Sequence, residues 1–281
     1  MRTTQDTRSF VTTTRSGIAY DRAGPIGGPA VVLIHAGIAD RRMWDAQWHA
    51  LIPERDVVRI DLRGYGDSVE RPAGKLVPAD DVIDTLDELG VSEAHLIGAS
   101  FGAGVAVEVA LTRPSLVASL LLSAPGGSLI PETTPQLAAF VAAEDAALES
   151  GDLDAAVEAN LSWWVDGVGR NPERVDAGVR AFVATMQRRA FELTGEWHDV
   201  DEAELDPPAL DRLGEIAVPT LVLVGGSDLD AIHEAADRSV AGIADSRRID
   251  WADVAHLPSM ERPADFTTLV DEWLGTRTKA R

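Results

Sequence analysis

Short, unbroken apolar runs return at intervals along this chain, each followed by a helical stretch, and this pattern narrows the fold more than any other feature. "AVVLIHAG" (30–37), "EAHLIGA" (93–99), "LVASLLLSAPGG" (116–127) and "VPTLVLVGG" (218–226) show little of the alternation that marks a strand with one wet face. Such runs are expected where a strand is buried on both sides, as in a parallel sheet covered by helices. Between them lie amphipathic segments. "DRRMWDAQWHAL" (40–51) places Met43, Trp44, Trp48 and Leu51 at helical spacing behind Asp40, a natural N-cap. "DDVIDTLDELG" (80–90) is an acidic helix closed by Gly90. The expected class is therefore α/β, with a mostly parallel twisted sheet and helices on both faces.

From about Gly126 to Gly214 the texture changes. Strand-like runs vanish, and helical stretches such as "TPQLAAFVAAEDAALES", "LDAAVEANLSWWVDG" and "PERVDAGVRAFVATMQRRAFEL" take over. This gives an expected division into a first core part (1–125), a helical insertion (126–214) and a second core part (215–281). Ligands of open α/β sheets bind at the carboxyl ends of the strands. An insertion between two strands is placed to cover that edge as a cap.

Bulk composition excludes more than it assigns. A formal charge of −21 argues against nucleic acid and acidic membrane surfaces, both of which call for basic patches. No cysteine occurs, which removes disulfides, thiolate metal sites and cysteine nucleophiles. The stretch "MRTTQDTRSF" has no apolar leader segment, and no run reaches membrane-spanning length. A soluble cytoplasmic protein is expected, with no metal and no cofactor. Its oligomeric state is left open.

Chemistry enters at "HLIGASFGAG" (95–104), where Gly98 and Gly102 flank Ser100 at both second neighbours. G-x-S-x-G is weak alone, but here it closes an expected strand and opens an expected helix. That setting forces a sharp turn and holds the hydroxyl up at the N-terminal end of a helix, where the dipole favours negative charge. A serine needs a base and an orienting acid to act as a nucleophile. Of the six histidines, His256 lies in a loop between the last expected strand and the last helix, where it can reach Ser100. The acid is expected just past "VPTLVLVGG", as Asp228 rather than Asp230, whose alternative role is helix capping. Backbone N–H groups of Phe101 and Gly37, with Ile38 as fallback, are the expected donors to a developing oxyanion.

These segments resemble the α/β-hydrolase fold superfamily over nearly the whole chain. The likeness rests on "HAG" (35–37), "DLRGYGDS" (61–68), "GASFG" (98–102), "VGGSD" (224–228) and "AHLPSMERP" (255–263), in the family's order. It implies Ser100 as nucleophile, Asp228 as acid, His256 as base, a helical cap, and structural roles for Asp61, Arg63 and Gly64. Ala36 replaces the glycine more often found in the oxyanion loop, and Ala103 stands where a second glycine often follows the serine. Ser100 excludes the aspartate-nucleophile branches. "DRRMWDAQ" with "DLRGYGDS" is similar to 3-oxoadipate enol-lactonases and small-ester hydrolases.

The expected activity is cleavage of a carboxylic ester or lactone of small to medium size through an acyl-enzyme. An enol-lactonase, a carbon–carbon bond hydrolase or a natural-product tailoring enzyme on the same residues is the alternative. A ligand receptor built on the fold is a third reading. Ile38, Trp163, Trp164, Phe182 and Met186 are the candidate pocket wall. On an α-helix Trp163 and Trp164 would diverge by about 100°. Either one faces the pocket and the other the body, or both form the core of the insertion.

Overall fold

The structure is a computed structural model that describes residues 11–278; the N-terminal stretch read above for a leader lies outside them. Eight strands form one sheet: β1 (Thr12–Thr13), β2 (Ala19–Ala23), β3 (Ala30–Ile34), β4 (Val57–Ile60), β5 (Ala94–Ala99), β6 (Val117–Ser123), β7 (Thr220–Gly225) and β8 (Ser246–Trp251). Their order is β1-β2-β4-β3-β5-β6-β7-β8. From β4 to β8 all neighbours are parallel, and only the β1–β2 and β2–β4 pairs are antiparallel. The expected class is the observed one.

The apolar runs explain this order. Every residue of β3 and β7 is buried, as strands covered on both faces must be. At the edge, β8 alternates half-buried and exposed residues. The short N-terminal pair β1–β2, with sequences TT and AYDRA, was not anticipated.

Nine α-helices occur among the described residues. In the core these are α1 (Asp45–Leu51), α2 (Pro78–Glu88), α3 (Phe101–Thr112), α7 (Asp230–Gly242), α8 (Pro258–Glu261) and α9 (Pro263–Thr278). The stretch read as one helix over 40–51 is a 3-10 turn, Arg41–Trp44, capped by Asp40 and running into α1. Helix α1 packs against α9, and just before it Trp44 of the 3-10 turn meets Phe266 of α9, their ring centroids 5.7 Å apart and both side chains sealed from solvent. Burying one side chain of this kind contributes roughly 1.5–3 kcal/mol. Helix α3 is apolar all round and buried from Gly102 to Leu111, so it lies at the centre rather than on the surface.

Between β6 and β7 the chain is helical, with α4 (Pro135–Glu149), α5 (Leu153–Asn160) and α6 (Ala177–Thr194) joined by short turns. One of these departs from the α-helix expected over "LDAAVEANLSWWVDG". Helix α5 passes into a π-turn, Leu161–Val165, closed by the Asp166 N–H donating to the Leu161 carbonyl at 2.8 Å. Such wide turns occur often at functional sites.

Candidate active site

Because β3, β5, β6, β7 and β8 run parallel, the loops that follow them emerge at one edge of the sheet. The residues picked out from the sequence lie on those loops. Ser100 follows β5 and opens α3 with φ 52° and ψ −117°, a conformation L-residues avoid and one worth about 1–3 kcal/mol of strain. The two glycines make it feasible. A Cβ on Gly102 would sit 2.5 Å from the carbonyl oxygens of both Ile34 and His35, and one on Gly98 would collide with the Gly102 carbonyl. The turn is pinned by the Ser100 N–H donating to the Ser123 carbonyl (2.9 Å) and the Gly126 N–H donating to the Ser100 carbonyl (3.1 Å). Ser100 itself is half-buried.

Asp228 and His256 are brought together. His256 Nδ1 lies 2.8 Å and 3.0 Å from the two Asp228 carboxylate oxygens, and both residues are buried. Asp230 is elsewhere: it begins α7, where its carboxylate accepts from the Thr134 hydroxyl and its own N–H donates to Gln136. Among the described residues the hydrogen bonds of His256 run to Asp228 and to the Trp164 carbonyl (3.3 Å), and none to Ser100.

Gly37 and Phe101 lie side by side. A Cβ on Gly37 would touch Phe101 Cβ at 3.5 Å. Among the described residues neither amide donates to a protein acceptor. Two backbone N–H groups near the strained serine are thus left without acceptors. Ile38 is buried next to them.

Three of the other histidines have structural partners. His35 is sealed beneath the site. Its Nε2 accepts from the Leu62 N–H (2.9 Å) and its Nδ1 donates to the Ala36 carbonyl (2.8 Å), and burial holds its pKa below the ordinary value. His95 pairs with Ser119, and His233 with Arg248. Asp61 and Arg63 brace the loop after β4: Asp61 accepts from the Arg41 N–H, the Arg41 guanidinium and the Asp67 N–H, and Arg63 grips Asp81 through two hydrogen bonds.

The π-turn fixes where the two tryptophans go. Trp164 is buried and lays its ring against the His256 imidazole, centroid to centroid 4.4 Å, with Phe140 edge-on behind it at 5.1 Å. Trp163 is half-buried and meets Phe140 at 6.5 Å. Phe182 is half-buried under the Arg42 guanidinium, 5.4 Å from its ring centre. Met186 is sealed inside the helical block, as a packing residue is.

Sequence reasoning missed the residues that seat the π-turn. Arg174 donates to the carbonyls of Val165 (2.7 Å), Asp166 (2.9 Å) and Asp253 (2.9 Å) and to the Glu261 carboxylate (2.5 Å). Glu261 in turn accepts from the Ala255 N–H, next to His256. Arg180 grips the buried carboxylate of Asp166. Nothing in the local sequence distinguishes these arginines from surface ones.

Comparison with known proteins agrees with this fold. A model of the alpha/beta hydrolase family matches residues 31–269. The chain is 28% identical over 260 residues to the dihydrolipoyllysine-residue acetyltransferase component of an acetoin cleaving system from Cupriavidus necator, covering 92% of this chain. It spans only 66% of that relative's length. It is 23% identical over 271 residues to 3-oxoadipate enol-lactonase 1 of Acinetobacter baylyi, covering 92% of this chain and 94% of that one. The solved structure of a thermophilic esterase from Thermogutta terrifontis superposes with a TM-score of 0.72 at 26% identity, covering 95% of this chain and 97% of that one.

Proposed function

The chain belongs to the alpha/beta hydrolase family, and from that premise we propose that it is a serine hydrolase cleaving a carboxylic ester or lactone of small to medium size through an acyl-enzyme. The observation that carries this reading is the buried His256–Asp228 pair, held at the same sheet edge as the strained Ser100. With Nδ1 bound to the carboxylate, Nε2 is the nitrogen left to take the Ser100 proton as Oγ attacks the carbonyl carbon. The carbonyl π electrons move onto oxygen, and the amides of Gly37 and Phe101 receive the charge. Collapse expels the alkoxide, which takes the proton back from His256. Water, activated by the same imidazole, then attacks the acyl group, and Ser100 leaves as the second alkoxide and is reprotonated. Asp228 holds the imidazole tautomer and balances its charge in between. No step calls for a metal or a cofactor.

The helical block from 126 to 214 serves as a cap in this reading. Trp164 and Trp163 wall the acyl side, and Ile38 and Phe182 the approach. Both an enol-lactonase and an esterase stand among the similar proteins, each aligned over more than nine tenths of this chain. Ester and lactone substrates are therefore the first to test. Ser100→Ala should abolish turnover of short p-nitrophenyl esters and of lactones; unchanged rates in that variant would remove the reading. Assaying simple esters, lactones and vinylogous diketones side by side separates plain hydrolysis from enol-lactone or carbon–carbon cleavage.

A further inference from the structure

Tyr65 stands in the "RGYGDS" loop after β4, and no role has been given to it above. Its ring meets His35 edge-on at 4.9 Å and Phe101 at 6.5 Å, so its position is fixed from two sides. Its hydroxyl lies 3.6 Å from the point where a side chain on Gly37 would begin, and Phe101 Cβ lies 3.5 Å from that same point. The phenol thus ends within van der Waals reach of the Gly37 loop and of Phe101, between the two loops whose amides lack acceptors.

Nothing nearby satisfies that hydroxyl. His35, the closest polar ring, has both nitrogens engaged by backbone groups. Among the described residues Tyr65 makes no side-chain hydrogen bond, although it is partly buried. The hydroxyl is not among the sealed polar atoms that lack a partner, so it is open to a molecule from outside the chain and its donor is free to meet one. Burial, reinforced by the carboxylates of Glu202 and Glu144, holds the phenol well above its ordinary pKa. It therefore keeps its proton through the neutral range and acts as a donor.

We propose that the Tyr65 hydroxyl is a third hydrogen-bond donor to the oxyanion, joining the amides of Gly37 and Phe101 when Ser100 attacks. No proton is transferred: the O–H stays with tyrosine, and the charge that it meets comes from the carbonyl π electrons displaced by Oγ. The proposal rests on Ser100 being the nucleophile.

The test is Tyr65→Phe, which keeps the ring against His35 and Phe101 and removes only the donor. Against p-nitrophenyl esters kcat should fall about 10- to 100-fold with KM within about threefold, as for loss of one oxyanion donor of moderate strength. Capture of Ser100 by a fluorophosphonate, whose phosphoryl oxygen occupies the same seat, should slow by a similar factor. The melting temperature should hold, because no protein partner is orphaned. The chain has two tyrosines, so fluorotyrosine labelling gives a ¹⁹F spectrum of two lines. The Tyr65 line, assigned by Tyr20→Phe if Tyr65→Phe does not fold, should move on phosphonylation. Wild-type rates in Tyr65→Phe, or a Tyr65 line that stays put, overturn the proposal while an inert Ser100→Ala keeps the hydrolase reading. Full turnover in Ser100→Ala removes both.

Discussion

A single methyl group measures how tightly the serine turn is built. On Gly102 it would meet two backbone carbonyl oxygens at 2.5 Å, and backbone in a parallel sheet cannot yield as a side chain tip does. Gly102→Ala should therefore cost about 1–3 kcal/mol or more by urea denaturation, and it should slow phosphonate capture by Ser100. Gly27→Ala, where nothing lies within 4 Å, should leave both unchanged. The glycines at 98 and 102 were legible because their spacing around Ser100 signals a mechanical need. Asp228 was legible because it sits just past an apolar run, and His256 because it lies in a loop between the last expected strand and the last helix. Tyr65 was not, since its meaning depends on its nearness to Gly37, 28 positions away in the sequence, which only folding brings beside it.

At the level of elements, the π-turn Leu161–Val165 and the loop carrying His256 form one unit joined by Arg174. Gly167 allows this closeness: at φ 88° it passes so near Ser227 that a Cβ would lie 2.8 Å from the Ser227 carbonyl. Arg174→Ala would leave three carbonyls and the buried Glu261 without their donor. It should cost about 2 kcal/mol of stability and lower kcat by about tenfold, equivalent to ~1.4 kcal/mol. Amide exchange should quicken together over 161–167 and 253–257; quickening in only one of the two stretches would show that they are not coupled. Buried strands were easy to read because an unbroken apolar run has few other uses. The β1–β2 hairpin was not, because short polar edge strands carry no such mark. The π-turn was invisible because one extra residue per turn leaves the apolar spacing of "LSWWVDG" nearly intact.

Across the whole molecule, a charge of −21 leaves few places where carboxylates can approach one another cheaply. One is the seam between the helical block and the core, where Leu76 donates its N–H to the Asp201 carbonyl and accepts from the Ala203 N–H, on either side of Glu202. Desolvation there, then the carboxylates of Glu108 and Glu204, push Glu202 up to about 7. The folded chain then holds a proton that the unfolded chain releases near the usual 4.5, so this group's contribution is present at low pH and is lost as pH rises from about 4.5 to 7. Solvent on one side of Glu202 limits its size. Glu202→Gln should raise the melting temperature at pH 8 and leave it unchanged at pH 4.5; an equal shift at both values would assign the effect to packing instead. No helix among the described residues is long and apolar enough to cross a membrane. The stacking of Trp164 on the imidazole carries a last consequence. Because Arg174 ties the turn bearing Trp164 to the loop bearing His256, loosening that turn also withdraws the ring and the carbonyl that seat the imidazole. The base that the proposed reaction needs keeps its place only while the turn does. Mild denaturant that first exposes Trp164 to a fluorescence quencher should already halt phosphonate uptake, well before the sheet melts.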